Sequence, residues 1–303
     1  MCFATAEPRR AVAGQQETVE VAAECGIIHN EPPLDRDATP MKIHRMHCFG
    51  RTDETGNTAI VVENSALSES ERLEFARQQD ANATVFVDAN AGGDLQLDYY
   101  YPHARSPLCL HATLAASAVF FERDPDIGRL QFTTSMHGQT LVIERDGQDI
   151  YVGAEPQRCP ALIFDVAEIA KLLLVKPTDL IGIKGPASVG SAKLLVEVAD
   201  ESALDGLRPN LAGIVEWSRK QAVSGMFVYC HLRDGVYVGR NFNHLEPRFE
   251  DAATGVAAGA LAITLERSIT LLQGDALGQP CTLFARYLGG AVQIGGRAVR
   301  SAV

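Results

Sequence analysis

Two stretches of the chain run for a helical length without a charged side chain. One is Ser106 to Phe121, SPLCLHATLAASAVFF; the other is Ala252 to Leu265, AATGVAAGALAITL, which follows Glu250 and Asp251. Each opens on a short polar turn and continues in small and branched apolar residues. A helix that is apolar all round is buried on every side. Its first turn still carries free backbone N–H groups and the positive end of the helix dipole, so a buried N-terminus needs a partner. A carboxylate or phosphate is the natural one. The second stretch therefore predicts a small acidic ligand at the mouth of a central helix, with Asp251 beside it. The first begins with chemically capable residues, Cys109 and His111.

Shorter patterns surround these two helices. Strands are predicted at Lys42 to Phe49, Thr58 to Val62, Thr84 to Val87 and Leu95 to Tyr101, where β-branched and aromatic residues concentrate. Ser68 caps a helix running to Gln79, with Glu71 three residues on as in a capping box. After the first apolar helix come strands at Leu130 to Thr134, Thr140 to Glu144 and Ile150 to Val152, with Asp146-Gly147 as a hairpin turn. The second part repeats the order: a helix at Val166 to Leu174, a strand at Lys193 to Val198, a helix at Leu211 to Lys220, and a hairpin of Met226 to His231 and Val236 to Phe242. The Gly255 helix follows, then strands at Thr282 to Tyr287 and Ala291 to Ile294. This reads as an α+β chain of two pseudo-equivalent halves, residues 41–160 and 161–303, with a cleft between them into which both central helix N-termini point. Residues 1–40, with Pro32, Pro33, Pro40 and mixed charge, read as an extended or mobile tail without chemistry.

Composition narrows the function. A net charge of −11 argues against sequence-independent nucleic-acid binding. It leaves room for a small anion at a helix terminus. Seven scattered cysteines with no CxxC or zinc-ligand spacing read as reduced thiols in a cytoplasmic protein. No run reaches transmembrane length, which predicts no membrane partner. No HxH or HExxH pattern suggests a metal, and no phosphate-binding loop or dinucleotide fingerprint suggests ATP or NAD.

Gly56-Asn57-Thr58-Ala59 with Val61-Val62, the segment SPLCLHATLAA and the segment EDAATGVAAGAL resemble, in order and spacing, the phenazine-biosynthesis PhzF-like family over roughly residues 42 to 300. Gly190-Ser191 and Gly295-Gly296 fit as well. The resemblance implies the diaminopimelate epimerase-like fold: two similar halves, each a β-barrel-like sheet around a central helix, with the active site between them. It implies an isomerase that moves protons on small carboxylic acids without cofactor or metal, in natural-product (antibiotic) biosynthesis, and a homodimer. The departures are specific. Ala83 stands where the family's isomerases carry a catalytic glutamate, Val256 where a serine follows the ATG turn, Ala252 where a proline follows the acid, and Leu110 where a glycine precedes the histidine. His111 and Asp251, aligned with the family's His and Asp, are kept.

A proton shift needs one group to remove a proton and one to deliver it, both with a pKa near the working pH. His111 qualifies by its intrinsic pKa. Asp251 qualifies if burial raises it, or it anchors a substrate amine, or it is a helix N-cap. Cys109, just before a helix N-terminus and near His111, sits where a thiolate is favoured, although packing alone also explains it. These three are the expected catalytic residues. Asn57, Thr84, Thr254, Gly255 and Val256 are the expected substrate-binding residues, with Thr254 and Gly255 offering N–H groups to a carboxylate. The Tyr99-Tyr100-Tyr101 run reads as strand packing, or as one aromatic wall of the cleft. Two further readings stay open: a racemase or epimerase using Cys109 as one base, and a degenerate family member retained as a binding protein.

Overall fold

Alternation along the first strand turns Met46 and Cys48 into the interior and leaves Lys42 at the surface. That strand is β1 (Lys42–Phe49), and it pairs antiparallel with β2 (Gly56–Glu63). The computed structural model describes residues 40–89, 92–243 and 250–301. The chain divides into two units, Met1–Ala38 and Thr39–Val303, and the description concerns the second. The tail expected over residues 1–40 lies outside the described residues apart from Pro40.

After β2 come α1 (Glu69–Gln78), β3 (Ala83–Ala89), β4 (Leu95–Tyr101), β5 (Ala104–Ser106), α2 (Leu110–Arg123), β6 (Arg129–Thr134), β7 (Thr140–Asp146) and β8 (Asp149–Ala154). The capping box at α1 forms as the spacing predicts, the Glu71 carboxylate accepting from the Ser68 N–H at 2.8 Å. The rest of the chain gives α3 (Val166–Leu173), β9 (Leu180–Ala187), β10 (Lys193–Val198), α4 (Glu201–Asp205), α5 (Leu211–Gln221), β11 (Met226–Arg233), β12 (Val236–Phe242), β13 (Glu250–Asp251), α6 (Gly255–Leu265), β14 (Ile269–Gln273), β15 (Cys281–Tyr287), β16 (Val292–Gly296) and β17 (Ala298–Arg300).

The pairing repeats. In the first half β1–β2 is antiparallel, β2–β3 parallel across α1, β3–β4 antiparallel, β4–β6 parallel across α2, and β6–β7–β8 antiparallel. In the second half β9–β10 is antiparallel, β10–β11 parallel across α5, β11–β12 antiparallel, β12–β14 parallel across α6, and β14–β15–β16 antiparallel. The halves join where β8 pairs with β16, and the late strand β17 pairs with β1. This is the α+β, epimerase-like plan of two equivalent halves.

One hydrophobic core surrounds both apolar helices: Leu114 and Val119 of α2 and Leu261 of α6 lie in the same cluster as Val61, Leu195, Phe227 and Ile294. Each half has a separate outer layer. Beneath α1 it is formed by Ile60, Phe86 and Tyr100. Beneath α3 and α5 it includes Ile169, Ile214, Trp217, Leu194, Met226 and Phe242. A strand residue thus faces either an inner helix or an outer one, according to its parity. Among the described residues no helix is long and apolar enough to cross a membrane.

Candidate active site

A cavity of about 880 Å³ is lined by the first turns of both central helices, within the range typical of small-molecule sites. Cys109, Leu110 and His111 come from α2 and Thr254, Gly255 and Val256 from α6, with Asn57 and Asp251 between them. Of the eight residues expected in the site, the cavity gathers seven: Cys109, His111, Asp251, Asn57, Thr254, Gly255 and Val256.

The eighth, Thr84, is a correction. It lies on β3 opposite Ile60 and Tyr100, residues of the outer core beneath α1. Among the described residues its hydroxyl is buried there without a hydrogen-bond partner, and it does not line the cavity. Ala83 and Val85, one residue to either side, belong to the inner core. The error is one of strand parity: a one-residue difference flips a side chain to the opposite face. Ala83 is itself buried and contributes no wall to the cavity, whereas Ala81 and Asn82 do.

On the α2 side, Cys109 is the N-cap residue and its sulfur lies 3.3 Å from Nδ1 of His111. The Cys48 thiol donates to the His111 carbonyl at 3.1 Å and fixes that turn. Burial pushes the Cys109 thiol up, but the His111 ring, the Ala112 N–H and the Tyr101 hydroxyl all favour thiolate, and the net pKa is lowered. Tyr101 moves the other way. The charge on Cys109 and then its own burial hold its hydroxyl protonated well above the usual range. Asp251 also raises Tyr101, so this ring senses both candidate proton-carrying sites. Of the three consecutive tyrosines only Tyr101 forms an aromatic wall of the cavity; Tyr99 turns inward to bond Thr113 at 2.7 Å.

On the α6 side, Asp251 is clamped. Its carboxylate accepts from the Asn57 amide at 3.2 Å and from the Thr254 hydroxyl. Asn57 also donates to the Ala253 carbonyl at 2.8 Å. It can do so because Gly56 takes φ +103°, where an added Cβ would meet the Cys48 carbonyl oxygen. Burial raises the Asp251 carboxyl above its ordinary value, against the opposing pull of Thr254, Asn57 and Lys193. The Val256 side chain packs against Gly190, which leaves its backbone N–H as its contribution at the helix tip.

Three residues escaped the sequence reading. Gln273 of β14 donates to the Asp251 carbonyl at 2.6 Å and accepts from the Thr254 N–H at 3.2 Å, which fixes the turn before α6. Lys193 opens β10, is 3% exposed and lines the cavity; burial pulls its ammonium down to about 8, with Asp251 opposing. Asn241 of β12 lines it too. The only sequence signal for Lys193 is a charged residue at the start of the apolar strand KLLVEV. Nothing in the sequence marks the other two. Among the described residues no group of three or more His, Cys, Asp or Glu is placed to hold a metal ion.

The chain matches known proteins along most of its length. The family model described as phenazine biosynthesis-like protein (PhzC-PhzF) covers residues 46–302. An uncharacterised isomerase of Pseudomonas aeruginosa is 27% identical over 266 residues, spanning 86% of this chain and 95% of the relative. The trans-2,3-dihydro-3-hydroxyanthranilate isomerase of Pseudomonas chlororaphis is 29% identical over 262 residues, spanning 81% and 90%. In fold, the PhzF-family phenazine biosynthesis protein of Bacillus anthracis superposes with a TM-score of 0.74 at 20% identity, covering 87% of this chain and 98% of that one. A hydroxyproline epimerase of Agrobacterium vitis shares the fold at a TM-score of 0.55 and 11% identity, covering 86% and 91%. With a family match over nearly the whole described fold and relatives that are isomerases, the chain belongs to the phenazine biosynthesis-like protein family and is an isomerase.

Proposed function

We propose that the protein shifts a double bond, by moving a proton, on a small unsaturated carboxylic or amino acid in natural-product biosynthesis, without a cofactor. The observation that carries this reading is the meeting of two unlike helix tips in one cavity. At one tip a clamped, partly buried carboxylate stands beside the first-turn N–H groups of α6; at the other a thiol and an imidazole lie in contact. The substrate carboxylate docks on the N–H groups of Gly255 and Val256, where the dipole and unpaired donors of α6 favour negative charge.

The base removes a proton from the saturated carbon next to the double bond. The C–H electrons form the new double bond, the old one moves towards the carboxyl group, and negative charge collects at the α6 tip. A proton delivered to the carbon next to the carboxylate completes the shift. One proton leaves and one arrives, so the step balances with no electron donor or acceptor. Asp251 and the Cys109–His111 pair take the two roles, exchanging them with direction. Burial raises the carboxyl and the local hydrogen bonds lower the thiol. Their proton affinities are drawn together, as reversible transfer requires.

The test is incubation with trans-2,3-dihydro-3-hydroxyanthranilate and other small unsaturated acids in deuterium oxide, read by NMR. Deuterium at one carbon with a displaced double bond is expected; no exchange with any of them sinks the reading. The contact between Cys109 and His111 also favours a second reading, a racemase or epimerase in which Cys109 is one base. That reaction places deuterium at a stereocentre, inverts it and leaves the double bond where it was.

A further inference from the structure

The strands that lead into the two helix tips are very short: β5 has three residues and β13 two. So short a ladder offers few backbone hydrogen bonds, each worth little net. Each strand is held a second way, by an ion pair to the strand beside it. In the second half the Arg240 guanidinium of β12 forks onto Glu250 of β13, Nε to Oε1 at 2.8 Å and Nη2 to Oε2 at 2.7 Å. Arg240 also donates to the Leu204 and Leu207 carbonyls at the end of α4, at 2.9 and 3.1 Å. In the first half Arg105 of β5 donates from Nε to Asp98 of β4 at 2.7 Å. The two pairs occupy the same place. Tyr99 stands opposite Ser106 and Tyr100 opposite Arg105; Asn241 stands opposite Asp251 and Phe242 opposite Glu250. Asp98 therefore matches Arg240, and Arg105 matches Glu250: one latch, with its charges exchanged. Each guanidinium also lies over the ring beside it, Arg105 5.9 Å from the centre of Tyr100 and Arg240 5.1 Å from that of Phe242.

Strand parity connects each latch to a tip. Adjacent residues of a strand point to opposite faces. Glu250 shares its face with Phe242, a residue of the outer core. It borders the cavity but commits both carboxylate oxygens to Arg240. Holding Glu250 on the outer side sets Asp251 on the inner one. Arg105 shares its face with Tyr100 of the other outer core, and the chain runs on from Ser106 to Cys109 and His111. We propose that the Arg240–Glu250 and Asp98–Arg105 ion pairs are positioning devices, one for each helix tip: the first sets Asp251, the second the Cys109–His111 pair. The proposal rests on the reading above of these groups as the proton carriers. A buried ion pair adds little net stability, because desolvation offsets the attraction. What its charge-assisted hydrogen bonds supply is direction.

Replacing each pair by apolar residues separates position from stability and leaves the net charge unchanged. The variants are Arg240→Met with Glu250→Leu, and Asp98→Leu with Arg105→Met. The control is Glu63→Leu with Arg123→Met, which removes a pair at the far end of α2. The full chain, labelled with 13C in Asp and His, is titrated by NMR. The Asp251 signal is identified by its loss in Asp251→Asn, and the His111 ring signal by its loss in His111→Gln. The first variant should bring the Asp251 titration down towards the ordinary carboxylate range, as water reaches a carboxyl that burial had raised, with the His111 signal unmoved. The second should move the His111 signal and leave that of Asp251. The control should move neither, and all three should melt near the wild-type temperature. Should a double variant fail to fold, Arg240→Lys and Arg105→Lys, which keep the charge and lose the fork, are read by the same two signals. A tip that ignores the loss of its own latch overturns the proposal. So does a variant that disturbs both tips, which is general loosening, and so does a fall in melting temperature with neither signal moved. With trans-2,3-dihydro-3-hydroxyanthranilate, kcat should fall roughly ten- to a hundredfold in the first two variants and KM stay within about twofold. Moved signals with unchanged turnover would overturn the proposal as well. If the signals respond as expected and the wild-type protein turns over none of the unsaturated acids, the latches stand and the isomerase reading is what fails.

Discussion

In the first half, α2 is capped by Cys109 and carries His111 in its opening turn; in the second, α6 is capped by Thr254 and follows Asp251. Ser106 holds the place in the first half that Asp251 holds in the second: Ser106 pairs with Tyr99 on β4, and Asp251 with Asn241 on β12. The scaffold is one, and the side chains placed on it have diverged. Tyr99 finds its partner inside its own half, in Thr113, whereas the Asn241 amide finds none among the described residues. The helices differ as well. Leu110 and Leu114 of α2 correspond to Gly255 and Gly259 of α6, and a Cβ on Gly255 would lie 3.1 Å from the Leu110 side chain. Bulk on one axle fits the absence of bulk on the other. A repeated fold can thus bring two chemically different helix tips to one space, each held by its own half.

The widest gap between the halves should appear in catalysis. Asp251→Asn is expected to lower deuterium incorporation by about a thousandfold, and His111→Gln by about a hundredfold, as loss of a proton-transferring group does. Ser106→Ala, the pseudo-equivalent of the first, should cost less than about threefold, since an ordinary hydrogen bond is worth little net. Equal losses at Ser106 and Asp251 would erase the distinction.

Packing gives the next effect. Leu114→Ala should lose about 3 kcal/mol in denaturant unfolding, because it opens a cavity in the shared core. Gly259→Ala makes the opposite error at the matching position. Its Cβ would lie 2.6 Å from Val189 and 2.7 Å from Ile294, and it should lose about 2 kcal/mol by overpacking. If Gly259→Ala were stabilising, the close approach of α6 to Val189 and Ile294 would not be what excludes a side chain there.

Lys193 offers a smaller effect that depends on pH. Its folded pKa is pulled down to about 8 by burial, so the unfolded chain binds its proton more strongly. Its contribution to stability is present above the unfolded value and is lost as pH falls through about 8. Lys193→Met should therefore gain on the order of 1–3 kcal/mol over the wild type at pH 7, with the gain fading in alkaline solution. Asp251 runs the other way. Its raised carboxyl gives stability below the unfolded value that is lost as pH rises through the folded one, and Asp251→Asn should remove that limb of the stability curve. Unfolding curves across pH check both.

Much of this comparison is written in the sequence. The two uncharged stretches gave both central helices and the cavity they share, because total burial needs total apolarity. Where a strand is buried and largely apolar, as in Lys193–Val198, the boundaries coincide with the pattern. Five strands leave a fainter mark, β5 and β13 among them because they are three and two residues long. β9, LIGIKGPA, has two glycines and a proline and is only partly buried; β14 is five residues long and β17 three. Thr84 was misplaced because a motif fixes position along a strand but not which face a side chain takes. Asn241 and Lys193 stayed hidden for a related reason. What a buried polar side chain meets is decided by cross-strand neighbours far away in sequence.

One of those faint strands has a consequence for how the protein is made. β17 lies beside β1, the first strand of the fold. During synthesis the opening strand must wait for the closing one, with its N–H and C=O groups open along one edge until some 250 residues later β17 emerges. Such an edge invites pairing with another chain, and a contact that spans the length of the molecule forms late. Removal of Ala298 to Arg300 should therefore show first as nascent chains lost to aggregation in the cell, before any change in the chemistry of the survivors.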